Sequence, residues 1–490
     1  MNARCVIMLY FGMAAAVIPP QNPPWSPTYN MLESLISMQC NSSGFSSPER
    51  GSEFGIISYD WSNAKTLWSK SKPMTCEELL VEQVEATSKK GGTQHFFVYR
   101  NIVKALPWFN TVRKKLDDPN YEGFFLKFDP NQRPFHVRYS TSEYVSKTSV
   151  KILTPFILFF LHSTMQVPDC ALENSNHCSE FYHDQEQTPE VPTPSNEHPD
   201  GSCVDYCDCG KHPCGEYLFD HRNGTMLRKW ILEEVIMGPT AVGHDLIDGL
   251  FLDDYWCSSL ICNETQNKTA GCPCDDPVQG PTEIDKYAQF DMGLSDEDIR
   301  QITIEWNKTM GEVQRVLLEN EAYTWSLIPG QENANAAPFL LSSNASNCTA
   351  SLREACDPDS VWQHFPVLFG FSVNGTVLTQ LQQDLAFFLL ARGPYAFAGW
   401  GTWGMIWPFS PEPRHGQLPP MPEGVPLPEE FHYDYGVPKE NCCSETSPGV
   451  FSRKWSRVSV ELDCNAFRSK IEFIDSALKM SRTKQDFLTT

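Results

Sequence analysis

Ile247-Asp248-Gly249-Leu250-Phe251-Leu252-Asp253-Asp254-Tyr255-Trp256 carries the reading of this chain. Gly249 to Leu252 is a short apolar run that stops at two carboxylates, the pattern of a buried strand with a polar C-terminal end. In parallel α/β folds, that end is where functional side chains collect. Side chains alternate along a strand, so only one of the two aspartates is expected to face a cleft directly. The other then orients a neighbour. The plainer alternative is that both acids only cap the following turn.

Outward from this stretch, six more segments repeat the pattern. Residues 55–60 run into Trp61, and 95–99 end at Arg100 and Asn101. Residues 216–219 lead to Asp220, Arg222 and Asn223, and 323–328 lead to Gly330, Gln331, Glu332, Asn333 and Asn335. Residues 366–371 and 395–400 complete the set, the last with Trp400 and Trp403 at its end. Helical periodicity fills 76–89, 226–236, 296–318 and 378–390 between them. Short apolar runs alternating with helices predict parallel βαβ units. The expected fold is therefore α/β, a (β/α)8 TIM-type barrel over 50–407 with one strand unread. An open doubly wound sheet is the rival, and no GxGxxG follows any strand to support its dinucleotide form.

The connections are unequal. Residues 166–214 form a Cys- and Pro-rich loop, and Cys203, Cys207, Cys209 and Cys214 match no standard zinc spacing, which favours disulfide staples. Cys257, Cys262, Cys272 and Cys274 are expected to staple the loop after the Asp253–Asp254 strand. Residues 131–165 turn abruptly basic and then apolar, and read either as a buried insertion helix or as retained intron sequence. Beyond the barrel come a proline-rich linker at 408–447, a β-hairpin appendage at 448–466 and a tail at 467–490.

The termini and cysteines point to export. Arg4 precedes an apolar run to Ile18 that includes Ala14–Ala16, the order of a secretory signal peptide over 1–18. That run is too short to span a bilayer, and no membrane anchor is expected. Of 18 cysteines, 17 remain once Cys5 leaves with the signal. So many thiols suit an oxidising compartment. Sequons at Asn41, Asn223, Asn263, Asn267, Asn307, Asn344, Asn347 and Asn374 agree with an extracellular glycoprotein. The net charge of −23 argues against nucleic acid or anionic membranes as partners.

Acids, amides, an arginine and indoles at strand ends are the equipment of a carbohydrate site. Glycosidic cleavage needs one carboxyl group to protonate the leaving oxygen and a second to attack carbon or activate water. Asp254 or Asp253 is the candidate nucleophile or base, and Glu332 the candidate acid, with Asp220 its substitute. Asp60, Trp61, Arg100, Asp220, Arg222, Asn223, Trp325, Asn333, Trp400 and Trp403 are the candidate sugar-binding residues. Asn223 is expected to stay unmodified and offer its amide. No metal-ligand spacing and no GxSxG elbow occur, so neither a metal, another cofactor nor acyl-transfer chemistry is expected. The alternative function is a non-catalytic carbohydrate-binding or cell-wall glycoprotein.

GIISYDWSNAK (55–65), HFFVYRNIVKALPWF (95–109), YLFDHRNGT (217–225), IDGLFLDDYW (247–256), TWSLIPGQENANAAP (324–338) and PYAFAGWGTWGM (394–405) occur in that order. With GVFSRKWSRVSVELDCN (449–465), they resemble a family of secreted eukaryotic, hypothetical glycosyl-hydrolase-like (β/α)8 barrels. More distantly, the GLFLDD strand is similar to that of endo-α-1,4-polygalactosaminidase-type barrels. The resemblance implies a glycosidase fold and matches Asp253 and Asp254 to the acidic pair of that group. It assigns no position to the acid partner and no substrate.

Overall fold

A computed structural model of the 490-residue chain describes residues 22–41, 44–68, 71, 73–116, 118–127, 183–184, 216–256, 293–325, 339–341, 344–364, 366–374, 377–400, 406–407 and 427–474. The signal segment, residues 131–165, the two loop cysteine clusters and the sequons at Asn263 and Asn267 lie outside the described residues.

The centre is parallel sheet. Strands β1 (Ile36–Gln39), β2 (Ile56–Tyr59) and β3 (His95–Asn101) pair in chain order. Two short strands after β3, β4 (Lys104–Ala105) and β5 (His183–Asp184), flank β6 (Glu216–Leu218) in a separate antiparallel ribbon. The parallel run then resumes from β3 to β7 (Gly249–Asp253) and β8 (Tyr323–Trp325). A second parallel run joins β9 (Phe339–Leu341), β10 (Val367–Phe371) and β11 (Ala396–Trp400). A parallel bridge from Leu35 to Ala398 carries β11 back to the start of β1. Ile406–Trp407 pairs parallel to β1 as well, so the parallel strands follow one another in chain order, apart from the step between β8 and β9, where no pairing is described.

The burial explains the parallel choice. All four residues of β2 and all five of β10 and β11 are buried, as strands covered on both faces must be. Gly249 is required where β7 starts, because a Cβ there would stand 2.3 Å from both the Phe97 ring and the Tyr323 carbonyl oxygen. On the outer face, the Tyr59 hydroxyl meets Thr87 Oγ1 at 2.6 Å on helix α1 (Cys76–Ser88).

Helix α2 (Gly224–Trp230) precedes β7, and α3 (Asp296–Glu319) precedes β8. Ser295 and Asp298 cap α3 reciprocally, and Ile299, Ile302, Trp306, Met310, Val313 and Leu317 bury its apolar stripe. Helices α4 (Cys348–Ala355) and α5 (Leu381–Ala391) flank β10 in sequence.

The C-terminal unit is wider than a hairpin. Ser444–Ser447, Val450–Lys454, Val458–Asp463 and Arg468–Phe473 make a four-stranded antiparallel sheet. Disulfides Cys348–Cys464 and Cys356–Cys443 tie it to the two ends of α4. Buried Arg453 donates to the carbonyls of Leu390 and Arg392 at 3.0 and 2.7 Å, closing the end of α5.

Two sequence readings change. Residues 216–219 were expected as a strand of the central array, but β6 pairs antiparallel to β4 outside it. Their Tyr217, Leu218 and Phe219 are all buried, which gives the same apolar run as a central strand. In its place the parallel array gains β1, β9 and Ile406–Trp407, none of them read from the sequence. Among the described residues, no helix is long and apolar enough to cross a membrane.

Candidate active site

A hydrogen-bonded acidic group joins the C-terminal ends of β3 and β7. Asn101 stands opposite Asp253 in the β3–β7 register, and Tyr99 opposite Phe251. Tyr99 and Asn101, two residues apart, share one face of β3. The Tyr99 hydroxyl donates to Asp253 Oδ2 at 3.0 Å. Asn101 Nδ2 donates to the Tyr99 oxygen at 3.0 Å and to Asp254 Oδ2 at 2.7 Å.

Strict alternation would have sent Asp254 to the opposite face from Asp253. The backbone overrides it, because Asp254 has φ of +59°, in the left-handed region that non-glycine residues enter at a cost. Its own N–H folds back to Asp253 Oδ1 at 2.9 Å. Both carboxylates therefore reach the Tyr99–Asn101 face of β3, where the sequence reading allowed only one.

Asn101 also builds the next part of the site. Its Oδ1 accepts from the Val103 and Lys104 amides at 2.8 and 2.7 Å, an Asx-type turn that reverses the chain. That turn returns Lys104, whose Nζ lies 3.4 Å from Asp254 Oδ2.

The environments of the two aspartates differ. Burial, and secondarily the neighbouring Asp254, push the Asp253 carboxyl up to about 7, while Lys104, the Asp254 amide and Tyr99 pull the other way. The Tyr99 phenol is raised well above its ordinary value by burial and then by Asp253, Asp254 and Asp60, so it stays a donor. Burial also raises Asp60, against the Ser62 amide and hydroxyl that donate to its Oδ1 at 2.9 and 2.5 Å.

The other expected residues divide. Trp61 is half-buried, packs 4.9 Å from Trp108 between ring centres, and carries Lys65 Nζ 5.0 Å over its own ring. Arg100 does not join the acidic group. Its position alternates to the helix side of β3, where its buried guanidinium donates to Tyr99 O, Thr240 O and Val235 O at 2.7, 2.6 and 3.3 Å. Glu77 Oε1 lies 3.6 Å from it.

Asp220 and Arg222 form a bidentate pair at 2.9 and 2.8 Å, and Arg222 reaches on to Asp298 at 2.6 Å. This latches the antiparallel ribbon to the start of α3, and is not part of the Asp253–Asp254 network. Exposed Asn223 donates to the Gly123 carbonyl at 3.2 Å. Trp400 is buried and stacks on Phe431 at 5.9 Å with rings 8° apart, so its indole packs core instead of lining a cleft. Trp325 ends β8 opposite Phe251. Glu332, Asn333 and Trp403 lie outside the described residues. Among the described residues, no group of three or more His, Cys, Asp or Glu side chains is arranged to hold a metal ion.

Tyr99, Asn101 and Lys104 were missed. Two polar side chains at alternate positions near the end of an otherwise apolar strand were the available signal.

No protein-family model matches this chain, and no curated protein sequence matches it. Among solved structures, a trehalose-6-phosphate hydrolase of Bacillus licheniformis aligns at 9% identity and TM-score 0.27, over 73% of this chain and 55% of that one. The chain thus spans about half the length of that hydrolase. A family GH13_31 enzyme aligns at 11% identity and TM-score 0.31, over 89% of this chain and 92% of the other.

Proposed function

We propose that this chain is a secreted glycoside hydrolase that cleaves O-glycosidic bonds of a polysaccharide or glycan with two carboxyl groups. The parallel strands would close as a (β/α)8 barrel through β8 and β9. What supports the chemistry is the unequal pair at the end of β7. Asp253 holds its proton up to about 7, while Asp254 is ion-paired with Lys104 and bonded by Asn101. Adjacent carboxyls in unlike environments are how one site supplies both an acid and an anion near neutral pH.

In this reading Asp254 is the carboxylate that attacks the anomeric carbon or activates water. Asp253 holds the proton that the departing oxygen takes up. Glu332 is the competing proton donor, because it follows a different strand and could flank the bond from the opposite side. Asp60, at the end of β2, is proposed to bind sugar hydroxyls, with Trp61 offering apolar surface beside it. The disulfides Cys348–Cys464 and Cys356–Cys443 suit an oxidising compartment, which supports export.

The test is turnover of a glycan panel by wild type, Asp253→Asn, Asp254→Asn and Glu332→Gln. Loss of turnover with glycan binding kept supports the hydrolase. A wild type that binds glycans and cleaves none supports the non-catalytic carbohydrate-binding alternative instead.

A further inference from the structure

The hydrogen bonds around Tyr99 run in one fixed direction. The Asn101 oxygen is taken by two backbone amides, Val103 and Lys104, so its NH2 end must be the one facing Tyr99 and Asp254. The Tyr99 oxygen then accepts from Asn101, and its single proton is left for Asp253 Oδ2. Neither partner is free to reorient, since Asn101 is 4% and Tyr99 2% exposed. The Tyr99 ring is wedged between Phe109 and Phe251, with ring centres 6.5 and 5.9 Å away.

Asp253 is thereby held at both oxygens. Oδ1 accepts the Asp254 amide and Oδ2 the Tyr99 hydroxyl. The first bond comes from the left-handed residue itself, so the chain cannot move Asp254 without releasing Asp253.

We propose that Tyr99 is a positioning residue, whose hydroxyl, aimed by Asn101, fixes the Asp253 carboxyl in its working orientation beside Asp254. This rests on the glycosidase reading for its consequence in turnover, but not for its geometry. Charged or titratable groups acting on Asp253 are Asp254 from the same strand end, Tyr99 from β3 and Lys104 from the turn after it. Asp60, at the end of β2, acts on Tyr99.

The test is Tyr99→Phe, which keeps the ring and deletes one oxygen. Carboxyl 13C NMR of the full chain, with Asp253 assigned through Asp253→Asn, reads the titration midpoint without any substrate. Loss of a donor to the charged form moves that midpoint upward. The proton-donor limb of the pH profile of kcat/KM on a cleaved glycan then moves in the same direction. Replacing Tyr99 by 3-fluorotyrosine, a more acidic phenol of nearly the same size, strengthens the donor and moves both readouts downward. That second replacement preserves the fold if the phenylalanine variant does not.

Opposite shifts in the two variants establish the role. An unchanged Asp253 midpoint in either folded variant overturns it, even if Asp253→Asn abolishes turnover. Conversely, shifted midpoints in a chain that cleaves no glycan keep the positioning role and remove the glycosidase.

Discussion

Asn101 Nδ2 lies 2.7 Å from Asp254 Oδ2, and this bond crosses from β3 to the end of β7. It exists only because Asp254 leaves the strand with φ of +59°. An extended Asp254 would present its carboxylate to the helix side, where Arg100 lies buried. Strain at this position is thus coupled to the assembly of the acidic pair.

The backbone of Asp254 predicts a split between size and shape. Asn tolerates the left-handed region almost as well as Asp, while β-branched residues do not. Asp254→Asn should leave thermal stability within about 1 kcal/mol of wild type, and Asp254→Val should cost about 1–2 kcal/mol more. Urea melts of the two variants measure the difference, and equal stabilities would count against a strained turn.

The Asp253 carboxyl predicts the pH dependence. Its folded value of about 7 lies above the usual Asp value of about 3.9, so between these limits the native chain binds a proton that the unfolded chain releases. The resulting stability is complete below pH of about 4 and is lost as pH rises through about 7. Turnover that needs this proton should fall over the same upper range. Asp253→Asn should flatten the stability slope, which denaturant titrations at several pH values report.

Both disulfides among the described residues join α4 to the C-terminal sheet, over sequence separations of 116 and 87 residues. Each limits nearly the same unfolded-state freedom, so the first bond closed matters most. Cys348→Ser or Cys356→Ser alone should cost less than half of the loss in the double variant, itself about 4–5 kcal/mol or more. Melting of the three variants checks this, and peptide mapping without reduction checks the pairing.

Asn223 is predicted to carry no glycan despite its sequon. Its Nδ2, the atom a glycan would occupy, donates to Gly123 O, and lies only 2.7 Å from where a Cβ on Gly123 would stand. Asn344 and Asn347, on the exposed turn before α4, have no such obstruction described around Nδ2. Glycopeptide mapping of the chain expressed through a eukaryotic secretory pathway should find occupancy in the Asn344–Asn347 turn and none at Asn223.

Much of the frame was readable from periodicity. The strands at 56–59, 95–101, 249–253, 367–371 and 396–400 all coincide with apolar runs, and the long helix 296–319 with its stripe. What misled was Tyr217-Leu218-Phe219, since burial on both faces does not reveal whether a strand's neighbours run parallel or antiparallel. Ile36–Gln39 was invisible for the opposite reason, because Ser37 and Gln39 break up its apolar run. The pairing of cysteines 116 residues apart leaves no local pattern either. At the site, Asp253 and Asp254 were legible as acids at a strand end. The backbone turn that brings them together, and the Tyr99–Asn101 pair that binds them, depend on the β3–β7 register.

The most direct test of the central claim is glycan hydrolysis by purified wild type beside Asp253→Asn and Asp254→Asn, with binding measured on the same glycans. The account predicts wild-type cleavage, at least a roughly 100-fold loss of kcat in each variant, and glycan affinity largely kept. Variants that cleave as fast as wild type would contradict it.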